Sequence, residues 1–173
     1  MRILFLLTVI LCLLVQAGAQ APASVVWQVT SIDINANVQQ NERTLNAVAT
    51  INATNVGTGA GRTLTARLNS KASVKSVTVG GAAGTFRPGA EPRGDLQRVE
   101  IALPSSVAPN SSVTVAITYV LPVESNSGLS AISPIGTQFL PLSFWYPMPN
   151  TPYSVRGADT APFRLTVNIP NAI

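Results

Sequence analysis

The chain contains no histidine, only one cysteine among 173 residues, and seven acidic side chains. Without histidine, Ser-His-Asp and Cys-His nucleophile arrangements are excluded, as are the usual zinc sites and the commonest general base. Cys12 lies inside an apolar N-terminal run behind bulky Leu11. It is too early and too crowded to be a lipidation cysteine, and once that run is removed no disulfide or thiol chemistry remains. Paired carboxylates could still act as acid and base, but Glu91 and Asp95 flank Pro92-Arg93-Gly94 and read as a solvated turn. Asp33 stands between Ile32 and Ile34, on the polar side of an alternating strand. No stretch carries the closely spaced oxygen ligands of a calcium loop. Charged residues make up 10% of the chain, and the formal net charge is +4 with Lys and Arg scattered singly, which argues against nucleic acid binding. No catalytic, cofactor-binding or metal-binding constellation is expected, and the chain by itself is not expected to be an enzyme.

The N-terminus reads as a cleavable signal peptide over residues 1–19. Arg2 gives a positive start, Ile3 to Val15 is apolar apart from Thr8, and Ala17-Gly18-Ala19 supplies small residues for cleavage. Thirteen residues (3 to 15) are short of the roughly 20 a spanning helix needs. Cleavage after Ala19 would leave residues 20–173 as a single domain with a net charge of +4 − 1 = +3. The expected location is secreted or periplasmic, in the cell envelope, with no stable membrane span after cleavage.

Period-2 alternation then dominates. Leu45, Ala47, Ala49, Ile51 and Ala53 alternate with mostly polar neighbours, as do Val99–Leu103, Val113–Leu121 and Phe163–Ile169. One apolar and one polar face per strand predicts antiparallel sheets packed on one side, in an all-β antiparallel sandwich. In the first strand the beat slips from odd (Val25, Trp27, Val29) to even (Ile32, Ile34, Ala36, Val38), which predicts a β-bulge at Thr30 or Ser31. Weaker strands are expected at 62–69 and 74–79. Turns are expected at Gly57–Gly61 (a hairpin loop before Arg62), Gly80-Gly81, Pro88-Gly89 and Pro104–Asn110. No helical repeat of ten or more residues follows the leader.

Residues 139–149, Phe-Leu-Pro-Leu-Ser-Phe-Trp-Tyr-Pro-Met-Pro, carry three prolines and four aromatics. Proline cannot donate to a ladder, so this is an irregular segment or an edge. Phe139, Phe144, Trp145 and Tyr146 either cover one end of the core or form a contact surface; both readings stand on the sequence. Asn52 and Asn110 head N-x-Ser/Thr sequons and are candidate glycosylation sites.

Trp145-Tyr146-Pro147 and Ala161-Pro162-Phe163-Arg164-Leu165-Thr166-Val167 resemble the N-terminal β-domain of the zinc aminopeptidase N (gluzincin) family. There an aromatic-Pro segment leads through a variable turn into such a strand. Leu103-Pro104 to Asn110 followed by Val113–Tyr119, and the opening Val29–Ile51 hairpin, are similar to the same plan, and a weaker similarity to the ribophorin family exists. The resemblance implies a saddle-like β-sandwich, the first domain of a longer exported peptidase-like protein. Its partner would be a C-terminal catalytic domain carrying the H-E-x-x-H zinc helix. The cysteine and acidic residues frequent after the aromatic-Pro pair are replaced here by Met148-Pro149-Asn150-Thr151-Pro152. The resemblance therefore implies a non-catalytic fragment; the alternative is a stand-alone envelope β-sandwich that binds or supports something else.

Overall fold

The computed structural model describes residues 23–91, 95–124, 126, 129–149 and 161–169. The proposed leader, Cys12, Asp159 and the segment from Asn150 to Thr160 lie outside the described residues. Among the described residues no helix is long and apolar enough to cross a membrane.

The strands are β1 Trp27–Gln39, β2 Thr44–Asn55, β3 Gly61–Asn69, β4 Ser73–Val79, β5 Ala82–Ala83, β6 Thr85–Ala90, β7 Leu96–Val107, β8 Ser112–Pro122, β9 Ser130–Ser133, β10 Gly136–Phe139, β11 Met148–Pro149 and β12 Phe163–Asn168. They form a six-stranded sheet in the order β12-β1-β2-β8-β4-β5, a four-stranded sheet β11-β3-β7-β6, and the hairpin β9-β10. Alternation decides what each face does. β2 reads half-buried and buried at every second residue, so Leu45, Ala47, Ala49, Ile51 and Ala53 all enter the core. Ile34 and Ile117 of the large sheet share that core with Leu64, Val99 and Ile101 of the small one. Small Ala47 stands opposite Tyr119 in the β2–β8 register, leaving room for the phenol ring.

The expected bulge is present. Val29 pairs with Ala53 and Ser31 with Asn52, so Thr30 is the extra residue, and the buried set switches from odd to even numbers across it. The Thr30 hydroxyl donates to the Asn52 carbonyl at 3.2 Å.

Four expectations are corrected. The Gly57–Gly61 segment is not a hairpin loop, because β2 and β3 lie in different sheets and the loop carries the chain between them. Buried Asn55 holds it: its Nδ2 donates to the carbonyls of Gly59 (2.7 Å) and Val107 (3.0 Å), and its Oδ1 accepts from Gly57 N–H at 3.1 Å. At Gly61 an added Cβ would collide with the Trp27 indole, whose Nε1 crosses to the Thr63 carbonyl at 3.0 Å. Pro88-Gly89 is not a turn; it sits inside β6, an edge strand, where a missing N–H is tolerated. β7 runs through Pro104 to Val107, with residues 103–106 bowing out between the Ala102–Thr63 and Val107–Gly61 pairs. Finally, β12 does not pack an apolar face on an antiparallel neighbour. It runs parallel to β1, with Ile32 opposite Phe163 and Ile34 opposite Leu165. Phe163, Leu165, Val167 and Ile169 remain 37–48% exposed. Their row continues the core face of the large sheet beyond the ground that the small sheet covers.

Candidate functional site

The aromatic segment folds as an irregular strap. β10 ends at Phe139, and residues 141–143 make one 3₁₀ turn, closed by Ser143 N–H and Oγ–H on the Leu140 carbonyl at 2.9 and 2.7 Å. Phe144 then takes a left-handed backbone conformation, with φ of 50°, uncommon for a bulky residue. Asn69 at the end of β3 secures this reversal. Its N–H donates to the Phe144 carbonyl at 3.0 Å and its Nδ2 to the Ser143 carbonyl at 2.9 Å. The reversal turns Trp145 inward, where it is 8% exposed, and the buried Tyr119 hydroxyl donates to the Trp145 carbonyl at 2.8 Å. β11 follows, pairing Met148 with Arg67 and Pro149 with Ala66 at the edge of the small sheet, as prolines at strand edges require.

The rings form a file. Phe139 lies 5.6 Å from Trp145, Trp145 meets Tyr146 edge-on at 4.9 Å, and Tyr146 meets Phe163 at 5.5 Å. Of the four aromatics singled out in the sequence, Trp145 therefore belongs to the core. Phe139, Phe144 and Tyr146 are half-buried. Exposed apolar side chains lie beside them at Leu140 and Leu142 on the strap and along β12. Nothing local signals that Phe163, 17 residues downstream of Tyr146, extends the file, because the parallel β1–β12 register is what brings it there.

Next to the strap a cleft of about 460 Å³ is lined by apolar Leu129, Leu142 and Phe144 together with charged Lys71, Asp95 and Glu124. Lys71 Nζ pairs with Glu124 Oε2 at 3.0 Å. Arg67 Nε meets Glu91 Oε1 at 3.5 Å, and Arg164 Nη1 meets Asp33 Oδ2 at 3.4 Å on the polar face. Each pair is a partly exposed salt link, and only Lys71–Glu124 lines the cleft. None aligns a nucleophile with a base. Burial pushes the Tyr119 hydroxyl well above its ordinary value, which disfavours the phenolate and leaves it a hydrogen-bond donor, not a base. Among the described residues no cluster of three or more acidic or thiol side chains could hold a metal ion. The Asn52 amide is engaged on the polar face, its Nδ2 donating to Ser31 Oγ at 2.8 Å, whereas Asn110 sits exposed in a turn with φ of 62°.

No family model matches the chain, and no curated protein matches it in sequence. Solved structures do match in fold. Native leukotriene A4 hydrolase from Saccharomyces cerevisiae superimposes with a TM-score of 0.64 at 14% identity, over 92% of this chain and 27% of that one. An M1 zinc metallopeptidase from Deinococcus radiodurans gives 0.56 at 18% identity, over 85% and 33%. The chain thus spans about a quarter to a third of the proteins it matches. The β-fold that residues 145–170 suggested is the one these metallopeptidases contain.

Proposed function

We propose that this chain is a non-catalytic β-domain of an exported metallopeptidase-like protein whose zinc-binding part lies in a separate region. The observation that carries this reading is the shared fold, which accounts for nearly all of this chain but only about a quarter of the hydrolase it superimposes on. A chain without histidine cannot supply H-E-x-x-H, so any such motif belongs elsewhere. Export rests on the leader-like residues 1–19. Phe144, Leu142 and Leu129, which line the cleft, offer the face on which a catalytic region rests. Half-buried Phe139 and Tyr146, with core Trp145, stiffen the strap behind it.

Two measurements test this. The purified chain is expected to hydrolyse no aminoacyl substrate with or without added zinc; zinc-dependent turnover would overturn the reading. Extending the reading frame past Ile173 is expected to reveal H-E-x-x-H and a downstream glutamate. A stop codon there would instead favour a stand-alone envelope module, for which the open cleft would be the binding feature.

A further inference from the structure

The outward face of the large sheet differs in kind from the rest of the surface. The exposed large apolar side chains among the described residues lie on loops, on the strap, and at odd-numbered positions along and just after β12. None is an outward residue of β1, β2 or β8. The charged side chains of β1, β2, β8 and β12 are Asp33 and Arg164, and these pair at 3.4 Å. What remains on this face is mostly asparagine and threonine, without net charge.

The register arranges these side chains in rows that cross the strands. One row runs Asn168, Asn37, Asn46, Val120, and the next runs Thr166, Asn35, Val48, Thr118. Both rows line a shallow depression of about 340 Å³, within the range of about 300–1,000 Å³ usual for ligand sites. Nearer the bulge the same face satisfies itself. Asn52 Nδ2 donates to Ser31 Oγ at 2.8 Å, and Asn52 Oδ1 accepts from Thr114 Oγ1. In the depression it does not. Among the described residues the side chains of Asn35, Asn46 and Thr118 make no hydrogen bond, and Asn37 is engaged only where its Oδ1 accepts from Gln39 Nε2 at 2.9 Å. Each free amide offers two donors and an acceptor.

We infer that this depression binds an uncharged, extended β-1,4-linked polysaccharide lying along the rows. Such a chain is a flat ribbon with hydroxyls at both edges and C–H groups on its faces. Neighbouring strands stand about 4.8 Å apart, about the length of one pyranose ring, and the two rows are about 7 Å apart along the strands. Asn37 and Asn46 then meet the hydroxyls of one edge, and Asn35 and Thr118 those of the other. Val48 and Val120 give the C–H faces an apolar footing. Amides that donate and accept match hydroxyls, which do both; a charged ligand finds no free counter-charge on these four strands. A folded polypeptide is the poorer occupant, because the cores of protein interfaces are rich in aromatic residues, Met and Arg, and the outward residues here include no aromatic or Met. The apolar surface suited to a further protein region lies on the strap, around the separate cleft. The inference does not depend on a zinc-binding region elsewhere.

The test titrates the isotope-labelled exported chain with cellohexaose and β-1,4-mannohexaose at millimolar concentration, read by NMR at about 0.15 M salt, where surface charge is screened. At least one hexasaccharide is expected to shift the side-chain NH2 signals of Asn35, Asn37 and Asn46 saturably. Combining Asn35→Ala with Asn46→Ala, both at sites open to solvent, is expected to weaken binding at least about tenfold while keeping a cooperative melt. Thr65→Ala, on the small sheet, is expected to leave binding unchanged. Hexagalacturonate, of equal length but anionic, is expected to bind much more weakly. No saturable shift with either neutral sugar would overturn the inference. So would shifts that map to the strap cleft instead, equal binding of hexagalacturonate, or a folded double variant of unchanged affinity. The wild-type shift map decides the matter even where the double variant does not fold.

Discussion

The Tyr119 hydroxyl, fully buried on β8, donates a 2.8 Å hydrogen bond to the main-chain carbonyl of Trp145. This bond fastens the aromatic strap to the middle of the large sheet from below. Removing the donor leaves a buried carbonyl without a partner, and such an orphan costs about 1–3 kcal/mol. Tyr119→Phe is therefore expected to lower the urea midpoint by that amount of stability, with little change in the denaturant slope.

The same hydroxyl gives a pH signature. Burial raises its pKa above the ordinary phenol value of about 10, so the unfolded chain loses this proton first. Stability is then fully present below pH ~10 and falls as pH rises beyond it, by up to about 1.4 kcal/mol per pH unit from this group. Tyr119→Phe lacks that term. The stability gap between the two proteins is expected to narrow above pH ~10, as read from denaturation midpoints; a constant gap would show that Tyr119 does not titrate this way.

Asn55 is a second fastening. Its amide satisfies two carbonyls and one N–H where the chain leaves the large sheet for the small one. Asn55→Ala strands these groups in a site with no exposure at Asn55 itself and is expected to cost about 3 kcal/mol. Chemical denaturation measures it; a loss under about 0.5 kcal/mol, the usual size for an inconsequential surface change, would contradict the assignment.

Thr30 allows a contrast between two deletions of equal length. It is the supernumerary residue of the bulge, so removing it brings Val29, Ser31 and Ile32 into unbroken alternation against Ala53, Asn52 and Ile51. Removing Asn35 instead shifts one side of β1 by a residue and turns either its buried or its polar set to the wrong face. The Thr30 deletion is expected to fold with a cooperative transition, and the Asn35 deletion to lose it, in circular dichroism melts.

Much of this architecture was legible in the residues because period 2 is a local property. The odd-to-even slip between Val29 and Ile32 located the bulge, and the beat of Leu45–Ala53 named the buried set of β2. The prolines at 141, 147 and 149 marked an irregular strap. What stayed hidden was set by partners distant in sequence. Pro88 passes for a turn residue until β6 is seen to be an edge. Gly57–Gly61 passes for a hairpin until Asn55 and Trp27 show the chain changing sheets. The apolar beat of Phe163–Ile169 looks like core, since nothing local reports how far the small sheet reaches. The Trp145 and Phe144 pair divides for the same reason: adjacent residues went to different environments once Asn69 imposed a reversal between them.

The parallel β1–β12 ladder also gives the domain a mechanical grain. The first and last described strands lie side by side and run the same way. Tension applied to the segments before Trp27 and after Ile169 would pull these neighbours past each other along their length. The whole ladder then bears the load together, instead of opening one rung at a time. A chain pulled through its ends is expected to resist at a higher rupture force than one pulled through Gln39 and Thr44, where the antiparallel β1–β2 hairpin peels from its tip. Single-molecule stretching from the two attachment geometries measures the difference. The domain would act as a stiff link along the line of its polypeptide and a weak one across it.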